Sequence, residues 1–228
     1  MYDAAIIGGA LSGSRTAELL AEKGHKVLLI EEHSNIGHPC KCTGLVSWRT
    51  PKKLLDLPKE LIVNVVDKAD FYSPDNTFFT LKCSKPVYVV DRPGLDKFLF
   101  ESAVSAGSVT RTSERFEKFW YNNGGVRIQT NKGTYDARMI IGADGGNSQV
   151  AKQANIEMPN NFLSGLQTTA HGKFTNIELW FGNKSFPKFF GWVVPEGNGT
   201  ARIGIAAEKN PNNYYQNFLR KRINAVIN

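Results

Sequence analysis

Continuous apolar runs flank a helical pattern at the start of the chain. Residues 4–8 form an apolar run that ends in glycine, and KVLLI at residues 26–30 forms a second one. Neither run alternates with polar residues, which is typical of parallel strands buried on both faces. Between them, SGSRTAELLAEKG has helical spacing and stops at Gly24. A strand, a tight turn, a helix and a strand within about thirty residues predict a βαβ unit.

Shorter strands and turns dominate the rest of the chain. A turn at PDN predicts a hairpin near residues 66–90, and an apolar strand runs into a second glycine-rich turn at GADGG. From about Ser164, segments such as IELWFGN and TARIGIAA are typical of antiparallel strands. We expect an α/β nucleotide-binding domain at 1–160 with the hairpin as an insertion, an antiparallel sheet at 161–210, and a C-terminal helix at 211–228.

Composition narrows the class of protein. The chain has 228 residues, of which 41% are hydrophobic, and no apolar run reaches the roughly 18 residues of a membrane-spanning helix. No basic leader precedes the first strand, so a cytoplasmic location is expected. The net charge of +7 comes from scattered basic residues, with only LRKR as a cluster. This favours a solvated face or attraction to anionic substrates and membrane surfaces over nucleic-acid binding.

The three cysteines do not predict a disulfide framework or a metal centre. Cys40, Cys42 and Cys83 are an odd number in a chain expected to be cytoplasmic. HPCKC lies near His33 and His38, but its C-x-C spacing has no second pair, and a tetrahedral zinc site needs four ligands. We therefore expect no metal.

The first glycine turn resembles a dinucleotide-binding fingerprint with one substitution. Gly8 and Gly13 fill its first and third glycine positions, Ala10 stands at the second, and Glu31 follows the next strand. A negative φ at Ala10 would limit the effect of its methyl group to a small displacement of the phosphate. The alternative is a turn that only packs a helix against a strand. The other candidate residues for this site are Gly9, Ser12 and Glu32.

Two further stretches have polar residues at strand ends. Arg92 follows VVD, where it is suited to a phosphate or to bracing a loop, and a surface ion pair is the alternative. Asp144 and Gly145 follow the apolar strand of IIGADGGNSQV. The carboxylate of Asp144 is placed to accept hydrogen bonds from hydroxyl groups or from the first-turn amides of the next helix.

These stretches together resemble a known group of proteins. GGALSG, DR and GADGGNSQV, in this order, resemble the two-dinucleotide-fold flavoproteins that bind FAD. IGHPCKCTGLVS and PKFFGWVVPEGNGTARIGIA are similar to the geranylgeranyl reductase family of prenyl-lipid reductases. That family has a motif of the form P-x-x-Y-x-W-x-F-P. Here Phe190 replaces the tyrosine and Val194 the phenylalanine, which removes a hydroxyl but keeps an apolar wall.

The resemblance implies a Rossmann-like FAD-binding domain with an antiparallel substrate sheet. It implies FAD as the cofactor, with the glycine turn and Ala10 along the pyrophosphate, Glu31 on the adenosine ribose, and Arg92 and Asp144 helping to fix it. It also implies that the turn at Cys42, Thr43 and Gly44 approaches the flavin ring. The implied reaction is the reduction of carbon–carbon double bonds in geranylgeranyl chains of lipids. The implied partners are a prenyl lipid and an electron donor, either reduced nicotinamide or a ferredoxin, with association at a membrane surface.

Several roles stay open at this point. Cys42 is a candidate to donate a proton or orient the flavin, and a small packing residue is the alternative. Aromatic residues of the second sheet are expected to line an apolar path for the prenyl chain, although at least half should be ordinary core. The substrate-binding candidates are Phe190, Trp192 and Pro195, and the other aromatic candidates are Trp180, Phe181 and Phe189.

A departure from the family concerns the C-terminal region. Flavoproteins of this type carry a Gly-Asp pair after the substrate sheet, and no such pair occurs between Gly197 and Asn228. The resemblance therefore leads us to expect that the family's C-terminal part is missing or lies on a partner chain, and that the isolated chain has low stability. Two alternative functions remain: a flavin monooxygenase of the aromatic-hydroxylase type, and a non-catalytic FAD- or nucleotide-binding fragment.

Overall fold

The computed structural model describes residues 1–40, 42–49 and 57–227, with side chains through Arg222. It divides into two compact units, and each is built from two stretches of the chain. Unit 1 consists of residues 1–40 and 92–159, and unit 2 of residues 41–91 and 160–228. The chain therefore passes from unit 1 to unit 2, back to unit 1 and again to unit 2.

The helices and strands follow one another along the described chain, with a 3₁₀ turn at Lys59–Leu61. The strands are β1 (Tyr2–Ile7), β2 (Val27–Ile30), β3 (Leu45–Ser47), β4 (Ile62–Tyr72), β5 (Phe78–Val90), β6 (Val109–Arg111), β7 (Phe116–Asn122), β8 (Gly125–Thr130), β9 (Thr134–Gly142), β10 (Ser164–His171), β11 (Ile177–Trp180), β12 (Gly191–Gly197) and β13 (Thr200–Ala207). The helices are α1 (Leu11–Glu22), α2 (Arg92–Ser105), α3 (Gln149–Gln153) and α4 (Pro211–Ile227).

Unit 1 is built on a six-stranded sheet in the order β6-β2-β1-β9-β8-β7. The first four strands are parallel, and β9, β8 and β7 form an antiparallel meander. The apolar residues of β1 and β2 are buried on both faces. One face packs against α1 and α2 through Ala17, Phe100 and Ala103, and the other packs against residues such as Phe116 and Val150. This burial explains why the two strands show no polar alternation in the sequence.

Unit 2 is built on a seven-stranded sheet in the order β10-β13-β12-β11-β4-β5-β3. Its neighbouring strands are antiparallel except for β4 and β11, which are parallel. The hairpin expected near 66–90 is β4–β5, and it lies in this sheet with the later strands. The expected boundaries of 1–160, 161–210 and 211–228 thus differ from the compact units, because the pairing of β4 with β11 joins residues about a hundred positions apart.

Helix α4 covers one face of the unit 2 sheet. Beneath it, Trp180, Phe186 and Phe218 form a core with the isoleucines of β13. Buried Glu178 accepts hydrogen bonds from the guanidinium of Arg222 in α4, with 2.8 Å between Nε and Oε2. The same carboxylate accepts the indole N–H of Trp180 at 2.9 Å. A buried, fully bonded carboxylate therefore fixes α4 on this face of the sheet.

Candidate functional site

The first glycine turn of unit 1 joins β1 to α1 at very short backbone distances. A Cβ atom at Gly13 would lie 1.8 Å from the carbonyl oxygen of Gly8, and one at Gly8 would lie 2.3 Å from the carbonyl oxygen of Ala143. Gly8 also has a φ of +107°, which favours glycine. Both positions therefore require glycine, as the first and third positions of a dinucleotide-binding turn do.

Ala10 occupies the N-cap position of α1 in an extended conformation. Its φ is −81°, so the methyl group meets no backbone restriction there. Its side chain provides no hydrogen bond to the helix end. The first-turn N–H groups of α1 thus remain for an anionic ligand, and the positive end of the helix dipole lies beside them. Substitution of the second glycine by alanine is compatible with a phosphate at this end.

Glu31 is tied to the glycine turn by direct hydrogen bonds. Its Oε2 atom accepts the backbone N–H of Gly9 at 2.6 Å. Its Oε1 atom accepts the backbone N–H of His33 at 2.9 Å and lies 2.7 Å from the ring Nδ1 of the same residue. The carboxylate is thus held at the carboxyl end of β2 beside the turn, where the dinucleotide-binding fold has its ribose acceptor.

The remaining candidates near this turn differ in accessibility. Ser12 and Glu32 are exposed. Ser14 is fully buried, and its hydroxyl donates to the carbonyl of Gly9 at 2.8 Å, so it braces the turn and does not face a ligand. Glu32 lies 3.9 Å from the Nε2 atom of His33 and makes no closer ion pair among the described residues.

The second glycine turn of unit 1 joins β9 to α3. Asp144 accepts hydrogen bonds from the backbone amides of Gln149 at 2.7 Å and Val150 at 3.2 Å, and from the hydroxyl of Ser148. Gly145 has a φ of +82° and allows the chain to turn between them. The carboxylate of Asp144 therefore organises the start of α3, which is one of the two roles expected for it.

Arg92 is the first residue of α2, and its guanidinium is engaged within the helix. Its Nη2 atom lies 2.9 Å and 3.0 Å from the two carboxylate oxygens of Asp96. Both side chains are largely buried. At the preceding loop, a Cβ on Gly37 would lie 2.7 Å from the Cα of Pro93, so loop and helix start are in close contact. The geometry therefore supports a bracing role for Arg92, in which its ion pair with Asp96 stabilises the start of α2.

In unit 2, the Cys42–Gly44 turn is bonded to the face of the sheet opposite α4. The carbonyl of Thr43 accepts a hydrogen bond from Arg202 at 2.7 Å, and that of Cys42 accepts one from Gln167 at 3.4 Å. The backbone N–H of Gly44 lies 3.4 Å from the Cys42 sulfur, and Gly44 has a φ of +73°. The half-buried thiol is thereby held in a defined turn.

The same face carries a run of aromatic side chains. The register pairs Trp192 with Leu179, and Leu179 with Phe71, so these three residues share one face. Adjacent members of the run have ring centroids 4.2 to 6.5 Å apart. We call this run the aromatic track, and it consists of Phe79, Phe71, Phe181, Phe190, Phe189 and Trp192.

The aromatic candidates from the sequence divide between the two faces. Phe181, Phe189, Phe190 and Trp192 lie in the aromatic track. Trp180 is buried beneath α4, where it stacks on Tyr72 at 3.9 Å, and is therefore core. Pro195 is also buried, and its carbonyl accepts the side-chain amide of Asn64 at 3.0 Å.

Three residues of this face were not singled out from the sequence. Gly204 allows the indole ring of Trp192 to pack directly on the backbone of β13, since a Cβ at position 204 would lie 2.4 Å from the ring. Gln167 accepts the indole N–H of Trp192 at 2.9 Å and also holds the Cys42 turn. Arg202 is buried and pairs with Glu196 at 2.8 Å. A single charge inside the apolar strand TARIGIAA was the available signal for Arg202, because buried charges require partners.

Two features are absent from the described residues: a cluster of metal ligands and a membrane-spanning helix. No group of three or more His, Cys, Asp or Glu side chains suited to a metal ion occurs in that part of the chain. None of the helices in the described ranges is both long and apolar enough to span a bilayer.

Two family models match consecutive parts of the chain. The model described as NAD(P)-binding Rossmann-like domain matches residues 6–56, and the model described as FAD binding domain matches residues 59–201. The chain is 30% identical to the digeranylgeranylglycerophospholipid reductase of Methanosarcina mazei, over 97% of this chain and 60% of the relative. It is also 30% identical to the geranylgeranyl diphosphate reductase of Rhodobacter capsulatus, over 91% of this chain and 55% of the relative.

A solved structure has the same fold. The crystal structure of a geranylgeranyl bacteriochlorophyll reductase-like protein from Thermoplasma acidophilum matches with a TM-score of 0.86 and 27% identity, over 96% of this chain and 62% of that one. The chain thus spans about 60% of the length of these relatives. These matches confirm the resemblance to geranylgeranyl reductases, the Rossmann-like fold class and FAD as the cofactor. Because the FAD-binding model covers more than half of its residues, the chain belongs to the FAD-binding domain family.

Proposed function

We propose that the chain is the FAD-dependent reductase of carbon–carbon double bonds in the prenyl chains of lipids, or the larger part of that enzyme. The observation that carries the proposal is the face of the unit 2 sheet on which the aromatic track and the Cys42 turn lie together. The names of the relatives from Methanosarcina mazei and Rhodobacter capsulatus point to the same substrate class.

Unit 1 supplies the residues that would hold the ADP part of FAD. The glycine turn leaves the first-turn amides of α1 for the pyrophosphate, and Ala10 is compatible with it. Glu31, held by Gly9 and His33, would accept the ribose hydroxyls. When bound and reduced, FAD supplies a hydride from its N5 atom. Arg92 and Asp144 act indirectly, because their side chains brace α2 and α3.

The aromatic track supplies an apolar surface for the prenyl chain. Isolated double bonds carry no polar group, so binding must come from contact with apolar side chains and from exclusion of water. Phe190 and Trp192 lie edge to face, 6.3 Å apart, and Gly204 lets the indole lie close to the strand. The side chain of Gln167 fixes the indole orientation.

We further propose that Cys42 donates the proton that accompanies the hydride. A hydride added to one carbon of the double bond must be matched by a proton at the other. The Cys42 thiol is held by the bonds that Gln167 and Arg202 make to its turn, on the face that carries the aromatic track. A thiol is the one titratable group of this turn, which otherwise contains Thr43 and Gly44.

The direct test is anaerobic turnover of a geranylgeranyl lipid dispersed in detergent, with chemically reduced FAD and mass spectrometry of the product. Each double bond reduced adds two hydrogens. Trp192→Ala and Cys42→Ser should each lower the rate at least tenfold. Trp120→Ala, at an exposed indole of unit 1, is the matched control and should react as the parent chain does.

Other outcomes identify other functions. Oxygen consumption with a hydroxylated product would establish a monooxygenase. Stoichiometric FAD binding without any conversion would establish a non-catalytic FAD-binding chain. Reduced nicotinamide and reduced ferredoxin are the proposed physiological donors, and the one that bleaches bound FAD in a stopped-flow experiment is the partner.

A further inference from the structure

One end of the unit 2 sheet collects exposed phenylalanine side chains. The register gives a continuous row across six strands, through Leu166, Ile205, Gly191, Trp180, Tyr72 and Phe78. Strands β4 and β11 end at this row, β5 and β12 begin there, and β10 begins two residues beyond it. We call this edge of the sheet the phenylalanine end, because five side chains lie at the row, one residue inside it or in the loops just beyond: Phe78, Phe79, Phe162, Phe181 and Phe189.

These five are also the most exposed phenylalanines in the described part of the chain. Their exposed fractions are 56% for Phe78, 62% for Phe79, 52% for Phe162, and 40% each for Phe181 and Phe189. Leu163, exposed to 39%, lies beside Phe162. Scattered apolar residues on a surface need no explanation, but several large ones at one edge mark a binding surface.

The exposed charged side chains around this end have a small basic excess. Lys184 and Lys188 lie in the loop that carries Phe181 and Phe189, and Lys209 follows β13. Two exposed acidic side chains also lie nearby. Glu208 pairs with Lys188, so these two charges offset each other, and Asp75 accepts hydrogen bonds from Ser73 and Thr77. The basic excess of the whole chain also lies in unit 2. Unit 1 has twelve basic and twelve acidic residues, whereas unit 2 has sixteen and nine, so the excess of +7 belongs to unit 2.

We propose that the phenylalanine end docks on the surface of a phospholipid bilayer that contains anionic lipids. Phenylalanines at strand ends and in loops can enter the interfacial region, while the lysines beside them contact lipid phosphates. Each basic residue near an anionic membrane adds attraction that salt weakens. The end of the sheet therefore combines the two contributions on which reversible membrane binding depends.

The aromatic track begins at this end, which connects the docking surface with the proposed substrate. Phe79 stacks on Phe71 at 5.1 Å, and Phe71 on Phe181 at 6.3 Å. The track continues through Phe190 and Phe189 to Trp192, beside which Gln167 holds the Cys42 turn. A prenyl chain could leave the bilayer along this track without crossing water. This part of the inference rests on the proposed function, whereas the docking itself does not.

The test is flotation of the chain with vesicles of phosphatidylcholine, with and without a third of phosphatidylglycerol. The test variant is Phe78→Ser with Phe162→Ser, two exposed residues outside the aromatic track. The control is Val63→Ser with Val65→Ser, two exposed valines near the start of β4 and away from the phenylalanine end. FAD affinity of each variant verifies that unit 1 is folded, and circular dichroism verifies unit 2.

We expect the parent chain and the valine control to bind the anionic vesicles, less strongly as salt is raised, and the phenylalanine variant to partition at least tenfold less. Equal binding of both variants would overturn the proposal, as would no binding of the parent chain. Light scattering could instead show that the parent chain and the valine control are dimers and that the phenylalanine variant is a monomer. That result, without vesicle binding, would assign the surface to a second copy of the chain and overturn the proposal. Vesicle binding that depends on the phenylalanines, without prenyl reduction in detergent, would establish docking and refute the proposed function. Prenyl reduction in detergent without such vesicle binding would refute docking alone.

Discussion

The guanidinium of Arg202 donates a 2.7 Å hydrogen bond to the carbonyl of Thr43, a residue 159 positions earlier in the chain. The same side chain donates to the carbonyl of Val90 at 3.2 Å and pairs with Glu196 at 2.8 Å. One buried cation therefore joins the turn that carries Cys42 to the ends of two strands of its sheet.

Arg202→Met should lower the free energy of unfolding by about 3 kcal/mol, because it leaves Glu196 with an unpaired and mostly buried carboxylate. Urea titration measures this change. Arg202→Met with Glu196→Gln removes the unpaired charge as well, so it should recover part of the loss. In both variants the Cys42 turn loses its anchor, and the thiol should react faster with a disulfide reagent in a background without Cys40 and Cys83. Unchanged thiol rates would contradict the anchoring role.

Gly13→Val should abolish FAD retention. Its Cβ would overlap the carbonyl oxygen of Gly8, so α1 must move away from β1 and its N-terminus can no longer meet the phosphate. Fluorescence quenching of added FAD measures the loss. Ala10→Gly is the matched control and should change the affinity less than threefold, because Ala10 already has a negative φ. FAD retention by the valine variant would show that this turn is not the cofactor site.

Glu31→Ala should weaken FAD binding at least tenfold, or about 1.4 kcal/mol. It removes the ribose acceptor and the partner of the Gly9 amide together. Glu32→Ala makes the same change of charge at an exposed neighbour and should leave the affinity within twofold of the parent value. Titration at two salt concentrations separates the local contact from general electrostatics. Similar losses in both variants would show that only net charge matters.

Trp180→Ala should mainly lower stability, whereas Trp192→Ala should mainly lower prenyl turnover. Trp180 is buried beneath α4, so its truncation should lower the free energy of unfolding by about 3 to 5 kcal/mol. Trp192 is half-buried on the aromatic track, so its truncation should affect prenyl turnover more than stability. Urea titration and the detergent assay, run on both variants, give the two readings. A stability loss at Trp192 equal to that at Trp180 would count against its assignment to the substrate surface.

The hairpin tip at the phenylalanine end should open in acid. Hydrogen bonds from the hydroxyls of Ser73 and Thr77 lower the pKa of Asp75 from 3.8 to about 2. A lowered pKa means that the stabilisation is complete above pH 4 and is lost as the pH falls toward 2. The amide resonance of Thr77, which donates to Asp75, should titrate in that window and should be insensitive to pH in Asp75→Asn. A midpoint at the ordinary value of 3.8 would refute the assignment.

Local sequence patterns were sufficient to predict the geometry of the two glycine turns of unit 1. Gly8, Gly13 and Glu31 are separated by short stretches of chain, and the βαβ unit that joins them folds from neighbouring segments. The bonds that Asp144 accepts also come from residues at most six positions away. These relationships depend on spacing, and spacing can be read directly from the sequence.

Relationships between distant residues were not predictable in the same way. Trp180 and Phe181 are adjacent, yet one lies in the core and the other on the aromatic track, because successive residues point to opposite faces of a sheet. Which face is which depends on α4, far along the chain. The bonds of Arg202 and Gln167 to the Cys42 turn likewise depend on strand order, which a single sequence does not specify.

The interleaved connectivity of the two units sets the order in which the chain can fold. Unit 1 becomes complete once residue 159 has been synthesised, whereas β4 and β5 must wait for β11, more than a hundred residues later. During that interval the hairpin has an unpaired edge and exposed phenylalanines, which are features that promote aggregation. Expression of this protein should therefore respond strongly to translation rate and chaperones. Neither unit can be obtained as one continuous fragment, so an isolated unit 2 would need a linker in place of residues 92–159 to join its two stretches.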